Sequence, residues 1–506
     1  MATRYLMVQG VGPGVGKSLV ATALCRIFAD KGLRVVPFQA QNVTHGTTVA
    51  APGREIALAQ ALQARAAGVE PDARMSPIVL RPRGRDSHPP HDPLVEFLFC
   101  GELNGITSER LYTCCRERLA GLVREPLREV AEGADLVVIE GCGSPLLQGL
   151  DGSDFANFAL AAELNAPVLW VAEPEGESGP AAVRALWSDL MYGGDRRHVV
   201  GVILNRRDPE GGGPAREELP VPLVGVVPHV RHLLPRERGA ADGASTGGIP
   251  VAVLRLPHLS RSDDVDPLIG EPGLEVRWVE RPEELRESAA VVIPGSRNAP
   301  RDLVWLWESG LAPVLRELAG SGRPVVGLGE GYLVMGKRFP DSRAEGGGRM
   351  LRGLELLDFE VEMASEDVIG WRSMRVAAAE GPLAPLHGHA VRGCAIQCVL
   401  VRTGEGARVW LEADAALPGC GSGATWGTPL HGVFADDRLR GAWVRSLGAT
   451  PIPTGWDTRE ENDLAAVASS VAASLDLSWI ESVMENFPRS GYSFSTCTID
   501  PGAAAD

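Results

Sequence analysis

Short runs of apolar residues, each followed by a turn and a stretch of helical periodicity, recur along this chain. Strands of that kind are buried on both faces only in a parallel sheet covered by helices. Arg4-Tyr-Leu-Met-Val-Gln-Gly10, Val35-Val-Pro-Phe38, Asp135-Leu-Val-Val-Ile-Glu140, Pro167-Val-Leu-Trp-Val-Ala172, Val199-Val-Gly-Val-Ile-Leu204 and Pro222-Leu-Val-Gly-Val-Val227 form the first series. Helical patterns are predicted from Lys17 to Lys31 and at 53–67 and 107–132. Residues 232–250, rich in Gly, Ala and charge, read as a linker. The alternation then restarts with strands at 249–256, 274–279, 289–294 and 324–327. The expectation is an α/β protein of two parallel-sheet domains, 1–231 and 251–456, with 457–506 a helical segment and a loose tail.

Composition narrows the function classes. A chain of 506 residues exceeds one ordinary core, and 44% hydrophobic with 23% charged residues is a globular balance. No apolar run reaches the length of a membrane span and Met1-Ala-Thr-Arg leads straight into a strand, so a cytoplasmic location is expected. A net charge of −16 argues against nucleic acid and anionic membranes as partners, because both reward basic surfaces. The nine cysteines lack CxxC spacing and read as reduced thiols without a zinc site. A homo-oligomer is left open.

Gln9-Gly10-Val-Gly12-Pro-Gly14-Val-Gly16-Lys17-Ser18 lies between a strand and a helix, the context of a phosphate-binding loop. Its glycines Gly10, Gly12, Gly14 and Gly16 expose backbone N–H groups, Lys17 reaches the outer phosphates, and Ser18 is a ligand for Mg²⁺. ATP and Mg²⁺ are therefore the expected cofactors. Lysine occurs only at Lys17, Lys31 and Lys337 among 49 basic residues, so its presence here is not a default choice of cation. Glu140 ends an apolar strand at the sheet edge where ligands bind in such folds, and Glu55 at the start of the helix predicted for 53–67 can approach the same edge. Both are candidate Mg²⁺ ligands. Asn205 follows another strand and reads either as a contact to adenine or as a turn residue.

In the second domain, Pro324-Val-Val-Gly-Leu-Gly329-Glu-Gly-Tyr-Leu-Val-Met-Gly336 reads as a buried strand, a sharp turn and a helix. That arrangement presents a nucleophilic Cys or Ser at its apex. The apex residue here is Gly329, which has no side chain.

The pieces together resemble the cobyric acid synthase family, glutamine-dependent amidotransferases of cobalamin biosynthesis. The resemblance rests on Val8-Gln-Gly10 with Gly16-Lys-Ser18, Pro37-Phe38 with Ala40-Gln-Asn42, and Glu55-Ile56 with Ala59-Gln-Ala-Leu-Gln-Ala64. It continues through Ala66-Ala-Gly-Val-Glu-Pro71, Glu140-Gly141 with Gly143-Ser-Pro145, Asp264 with Asp266-Pro-Leu268, Pro294-Gly-Ser296 with Asn298, and Leu430-His-Gly432. It implies an N-terminal P-loop domain of the dethiobiotin synthetase-like branch that activates corrinoid carboxylates with ATP, and a C-terminal class I glutaminase domain that supplies ammonia. It further implies Asn42 and Ser144 at the acceptor site, His431 as the glutaminase base, and a cysteine at the position of Gly329.

Without that thiol no thioester can form, so glutaminase activity is expected to be lost. Cys394 and Cys398 flank Gln397 in a strand-like segment that does not reproduce the strained geometry of the elbow, so neither is expected to substitute. Gln39 stands where the family carries Lys, Arg81 replaces a second Lys, and the segments Arg83–Asp92, Ser153–Phe155 and Glu173–Ser178 depart from the family pattern. Two readings follow: an ATP-dependent ligase for a corrinoid or related polycarboxylate that draws ammonia from solution or from a partner, or a non-catalytic homologue with a regulatory or scaffold role.

Overall fold

The structure, a computed structural model, describes residues 3–44, 46–82, 94–108, 112, 116–143, 155–189, 195–207, 219–234, 247–341, 349–412 and 417–487. Ser144, the segment Arg83–Asp92, Ser153, Asp154, the tail from 488 onward and the side chains of Gln397 and Cys398 lie outside the described residues.

Six parallel strands form the N-terminal sheet, in the order Leu223–Pro228, Val199–Arg207, Val168–Ala172, Arg4–Gly10, Leu136–Glu140, Val35–Phe38. Successive residues of each strand enter different cores, as the pleat requires. Leu6, Val8, Leu136 and Val138 pack with the helix Lys17–Asp30, whereas Met7, Val137 and Ile139 pack with the helices Arg116–Ala131 and Phe158–Leu164.

The C-terminal helices Trp456–Ser474 and Leu477–Asn486 do not stand apart. Leu464, Val467, Val471 and Ile480 are buried in the same core as Leu24 and Phe28 of the first helix. The Asp476 N–H donates to the Val224 carbonyl at 3.1 Å, tying their junction to the edge of the first sheet. An apolar stripe shows that a helix packs, but not against which partner.

The second sheet runs Leu274–Val279, Ile249–Leu254, Ala290–Ile293, Val325–Leu328, Thr425–Thr428 in parallel. Antiparallel strands Gly419–Ser422 and Val409–Glu412 extend it into a long hairpin of Phe359–Val376 and Ala390–Thr403. The strand at Ile249 begins inside the stretch read as linker.

Two helices start later than the sequence pattern suggests. Arg54–Ala57 is a strand paired antiparallel with Thr47–Ala50, and the helix begins at Leu58. Glu102–Ser108 is likewise a strand, paired with Leu94–Phe99, and the helix that follows spans Arg116–Ala131. Both strands, Arg54-Glu-Ile-Ala57 and Glu102-Leu-Asn-Gly-Ile-Thr-Ser108, are too short for periodicity to separate them from the helix that follows.

The two domains meet through the 47–57 hairpin. Arg261 Nη1 donates to the Thr47 carbonyl at 2.9 Å, and Trp371 Nε1, on the long hairpin of the second domain, donates to the Val49 carbonyl at 3.0 Å.

Candidate active sites

Glu140 is the last residue of its strand and is fully buried. A bare buried carboxylate would cost several kcal/mol, so its partners define the site. Ser18 Oγ donates to Glu140 Oε1 at 2.6 Å and Lys17 Nζ lies 3.6 Å from the same oxygen. Gln63 Nε2 and Gln60 Nε2 donate to Oε2 at 2.6 and 3.2 Å. Asn42 in turn donates to Gln60 Oε1 at 3.0 Å, so the segment holding Asn42 joins the same network. Gln39 lies at this edge too, its amide donating to the Gly141 carbonyl at 3.2 Å.

The loop before Ser18 is held in shape. Asn205 Nδ2 donates to the Val15 carbonyl at 2.8 Å, and Gly16 has φ +90°, where an added Cβ would lie 2.1 Å from that same nitrogen. Only glycine accepts both the turn and the approach of Asn205. Asn205 is 1% exposed, and its amide N–H is used by the loop itself.

Glu55 sits elsewhere. It accepts from Thr47 Oγ1 at 2.6 Å and is ion-paired with Arg81, which also approaches Glu96 at 3.0 Å. The strand start at Arg54 turns its side chain into the cavity shared with the second domain, so the structure does not bring it to Ser18 and Glu140. The helix after Glu55 does reach that edge, through Gln60 and Gln63. Their i, i+3 spacing in Ala59-Gln-Ala-Leu-Gln-Ala64 was the sequence signal for a polar pair on one helix face. Among the described residues no three His, Cys, Asp or Glu side chains converge as a metal cluster. A Ser hydroxyl and a single carboxylate suit a cation that takes its remaining ligands from phosphate and water.

At the apex of the second site, Gly329 has φ +55° and ψ −126°. A Cβ placed there would lie 2.2 Å from His431 Cε1 and 2.4 Å from Nε2, so the imidazole occupies the ground where a nucleophile's side chain would start. His431 is 2% exposed and its Nδ1 meets Asp264 Oδ2 at 2.6 Å, while the Gly432 N–H donates to Asp264 Oδ1 at 2.7 Å. Burial alone would lower the His431 pKa, but the Asp264 charge and hydrogen bond, with a contribution from Glu330, outweigh it and hold the group above its ordinary value. Asp264 answers in the opposite direction: burial raises its pKa, and His431 and Arg261 pull it below the usual carboxylate range.

Glu330 completes the picture. Its Oε2 accepts from the Ser296 backbone N–H at 3.1 Å and lies 3.7 Å from His431 Nε2. A backbone N–H facing a nucleophile elbow is the type of donor that stabilises an oxyanion. Here a carboxylate of the protein already holds it. Cys394 exchanges two 2.9 Å backbone hydrogen bonds with His431, and burial pushes its thiol up to about 11, so it is a neutral thiol at physiological pH.

Comparison with known proteins agrees with both halves of this geometry. Residues 6–237 match the CobQ/CobB/MinD/ParA nucleotide binding domain, and residues 250–439 match the CobB/CobQ-like glutamine amidotransferase domain. The cobyric acid synthase of Pelotomaculum thermopropionicum is 35% identical over 526 aligned residues, which cover 96% of this chain and 98% of that protein. The chain belongs to the cobyric acid synthase family. Cobyric acid synthases of Moorella thermoacetica, 34% identical over 95% of this chain and 97% of that protein, and of Methylorubrum populi, 35% identical over 94% and 98%, extend the match. This member of the cobyric acid synthase family thus keeps both domains along their whole length. Asp264 was part of the family resemblance without a role, and the structure gives it one as the group that orients His431.

Proposed function

We propose that this chain is an ATP-dependent ligase of the cobyric acid synthase type, amidating carboxylates of a corrinoid or a related polycarboxylate in cobalamin biosynthesis, with a second domain that generates no ammonia. The observation that carries the reading is Gly329 with the His431 ring in the space of the missing side chain, in a chain whose other domain keeps Ser18, Lys17 and Glu140 assembled. Full-length relatives named cobyric acid synthase support the substrate class.

Bound MgATP would supply the activating phosphoryl group. The chain's own residues position it. The loop N–H groups and Lys17 neutralise phosphate charge, Ser18 and Glu140 are the pair fit to ligate Mg²⁺, and Gln60 and Gln63 fix the second carboxylate oxygen so that the first stays aimed at Ser18. Asn42, bonded to Gln60, links the acceptor segment to that aim, with Ser144 retained from the family resemblance as its companion. At the other site His431 has no thiol to deprotonate, so nitrogen enters as free ammonia or from a separate glutaminase.

The test is ADP release with corrinoid carboxylic acids, comparing ammonium with glutamine. Turnover with ammonium and none with glutamine is expected. Equal turnover with glutamine would refute the inactive second domain, and no turnover with any acceptor would leave the non-catalytic reading in its place.

A further inference from the structure

The strands Thr47–Ala50 and Arg54–Ala57 make a sheet of only two strands, with Thr47 opposite Ala57 and Val49 opposite Glu55. Such a pair is marginal by itself, because the outward backbone groups of each strand find no partner within it. Residues two apart present those groups on the same edge. On the Arg54–Ala57 edge the Glu55 N–H donates to the Gly101 carbonyl at 3.2 Å. On the other edge the carbonyls of Thr47 and Val49 accept from Arg261 Nη1 and Trp371 Nε1, at 2.9 and 3.0 Å. Two side chains of the second domain thus stand where a third strand would.

Both donors are aimed. Arg261 is 7% exposed, and its Nε and Nη2 donate to the Asp263 carboxylate at 2.8 and 2.6 Å, which leaves Nη1 directed at Thr47. The Trp371 ring is 45% exposed, yet the Arg392 guanidinium lies over it, 4.8 Å from the ring centre. The indole has a single N–H, and the Val49 carbonyl takes it.

What the hairpin carries gives these contacts a consequence. The chain runs from Ala57 straight into the helix Leu58–Ala66, and the Leu58 N–H donates to the Gly46 carbonyl at 3.3 Å, just ahead of Thr47. Both ends of the hairpin are therefore fixed to the start of that helix. Gln60 and Gln63, in its first two turns, hold Glu140 Oε2, and the other oxygen of Glu140 accepts from Ser18. A hairpin that shifts moves these amides, and a displacement of about 1 Å at a reacting centre can cost about a hundredfold in rate.

We propose that Trp371 and Arg261 are positioning residues for the phosphate site: the second domain completes the edge of the 47–57 hairpin and, through it, sets Gln60, Gln63 and Glu140. The kinetic part of this proposal rests on the ligase reading. It gives the second domain a role that needs no nucleophile.

Two variants of the full-length protein test it. Trp371→Phe keeps a ring beneath Arg392 and removes the N–H, while Arg261→Met removes the other donor. Arg261→Met also strands Asp263, so Trp371→Phe, which unpairs only a carbonyl, is the deciding variant. Hydrogen exchange should show the amides of 58–66 exchanging about two- to tenfold faster in Trp371→Phe, the scale of one lost hydrogen bond. The helix Leu311–Gly320, in the second domain, should be unchanged and serves as the control. In the ammonium-dependent assay kcat should fall about tenfold, whereas KM for ATP should change less than about twofold because the loop N–H groups and Lys17 are untouched. Unchanged exchange at 58–66, equally faster exchange in both helices, or an unchanged kcat would each overturn the proposal. Absence of ADP release from the wild type would instead refute the ligase reading, and the exchange result would still decide whether the second domain holds the hairpin.

Discussion

One carboxylate in each domain stands near the carboxyl end of a buried parallel strand, Glu140 as its last residue and Glu330 as the first residue of the helix after it, and their surroundings differ. Glu140 is aimed by groups that leave its chemistry usable: Ser18 and Lys17 on one oxygen, Gln60 and Gln63 on the other. Glu330 is turned inward, onto the Ser296 N–H and toward His431, where it satisfies groups that would otherwise face a reacting carbonyl. The first site is preorganised for a ligand, whereas in the second the Ser296 N–H is already taken by a carboxylate of the chain. A single fold tolerates both states because each carboxylate is hydrogen-bonded within its own network.

The comparison breaks most visibly at Glu140. Glu140→Gln keeps the shape but removes the charge, so the acceptor of the Ser18 hydroxyl is weakened and any Mg²⁺ loses an anionic ligand. ATP turnover in the corrinoid assay should fall about a hundred- to a thousandfold, the scale for removing one preorganised electrostatic group. A variant within a factor of about three of wild type, measured by ADP release, would mean that Glu140 is structural and that the metal is held elsewhere, since a lost charged interaction is worth far more than that.

Restoring the thiol should be less effective than the sequence alone suggests. In Gly329→Cys the new Cβ must displace His431 and adopt φ +55°, at a cost of about 1–3 kcal/mol in stability. The Ser296 N–H also remains occupied. The single variant should release no glutamate from glutamine above background, while Gly329→Cys combined with Glu330→Ala, which vacates that N–H, should do so and should react with an electrophilic glutamine analogue. Equal activity in the single and double variants would show that Glu330 is no obstacle.

Much of this architecture was legible because it rests on local pattern. Apolar strands bounded by turns gave both parallel sheets, and the spacing through Gly16-Lys17-Ser18 placed the phosphate loop. Gly329 was visible as an absence because the strand and helix around it kept their pattern. What escaped depends on long-range packing. Glu55 was assigned to the metal because its segment looked helical from 53 onward, whereas pairing with Thr47–Ala50 turns Arg54–Ala57 into a strand and gives the carboxylate to Arg81. Nothing in the sequence shows that the Val15 carbonyl, 190 positions away, takes the amide N–H of Asn205. The return of Leu464 and Val471 to the first domain's core is of the same kind.

The smallest expected effect concerns charge alone. Glu330→Gln keeps an acceptor for the Ser296 N–H but removes the negative charge 3.7 Å from His431 Nε2. Since Glu330 contributes to raising the His431 pKa, that pKa should move down in the variant, with Asp264 still holding it up. A group whose folded pKa is raised contributes stability that is fully present below its unfolded value, about 6.5 for His. That contribution is lost as pH rises through the folded value. Wild type should therefore exceed the variant in stability at pH below about 6.5, by about 0.2–1 kcal/mol for a pair in which Glu330 is partly exposed. The difference should vanish once His431 is neutral in both. Urea denaturation across this pH range, with an NMR titration of the His431 ring, measures both quantities. A difference that grows as pH rises would mean that Glu330 acts on something other than the imidazolium, and the inward-turned carboxylate would then need another partner to explain its position.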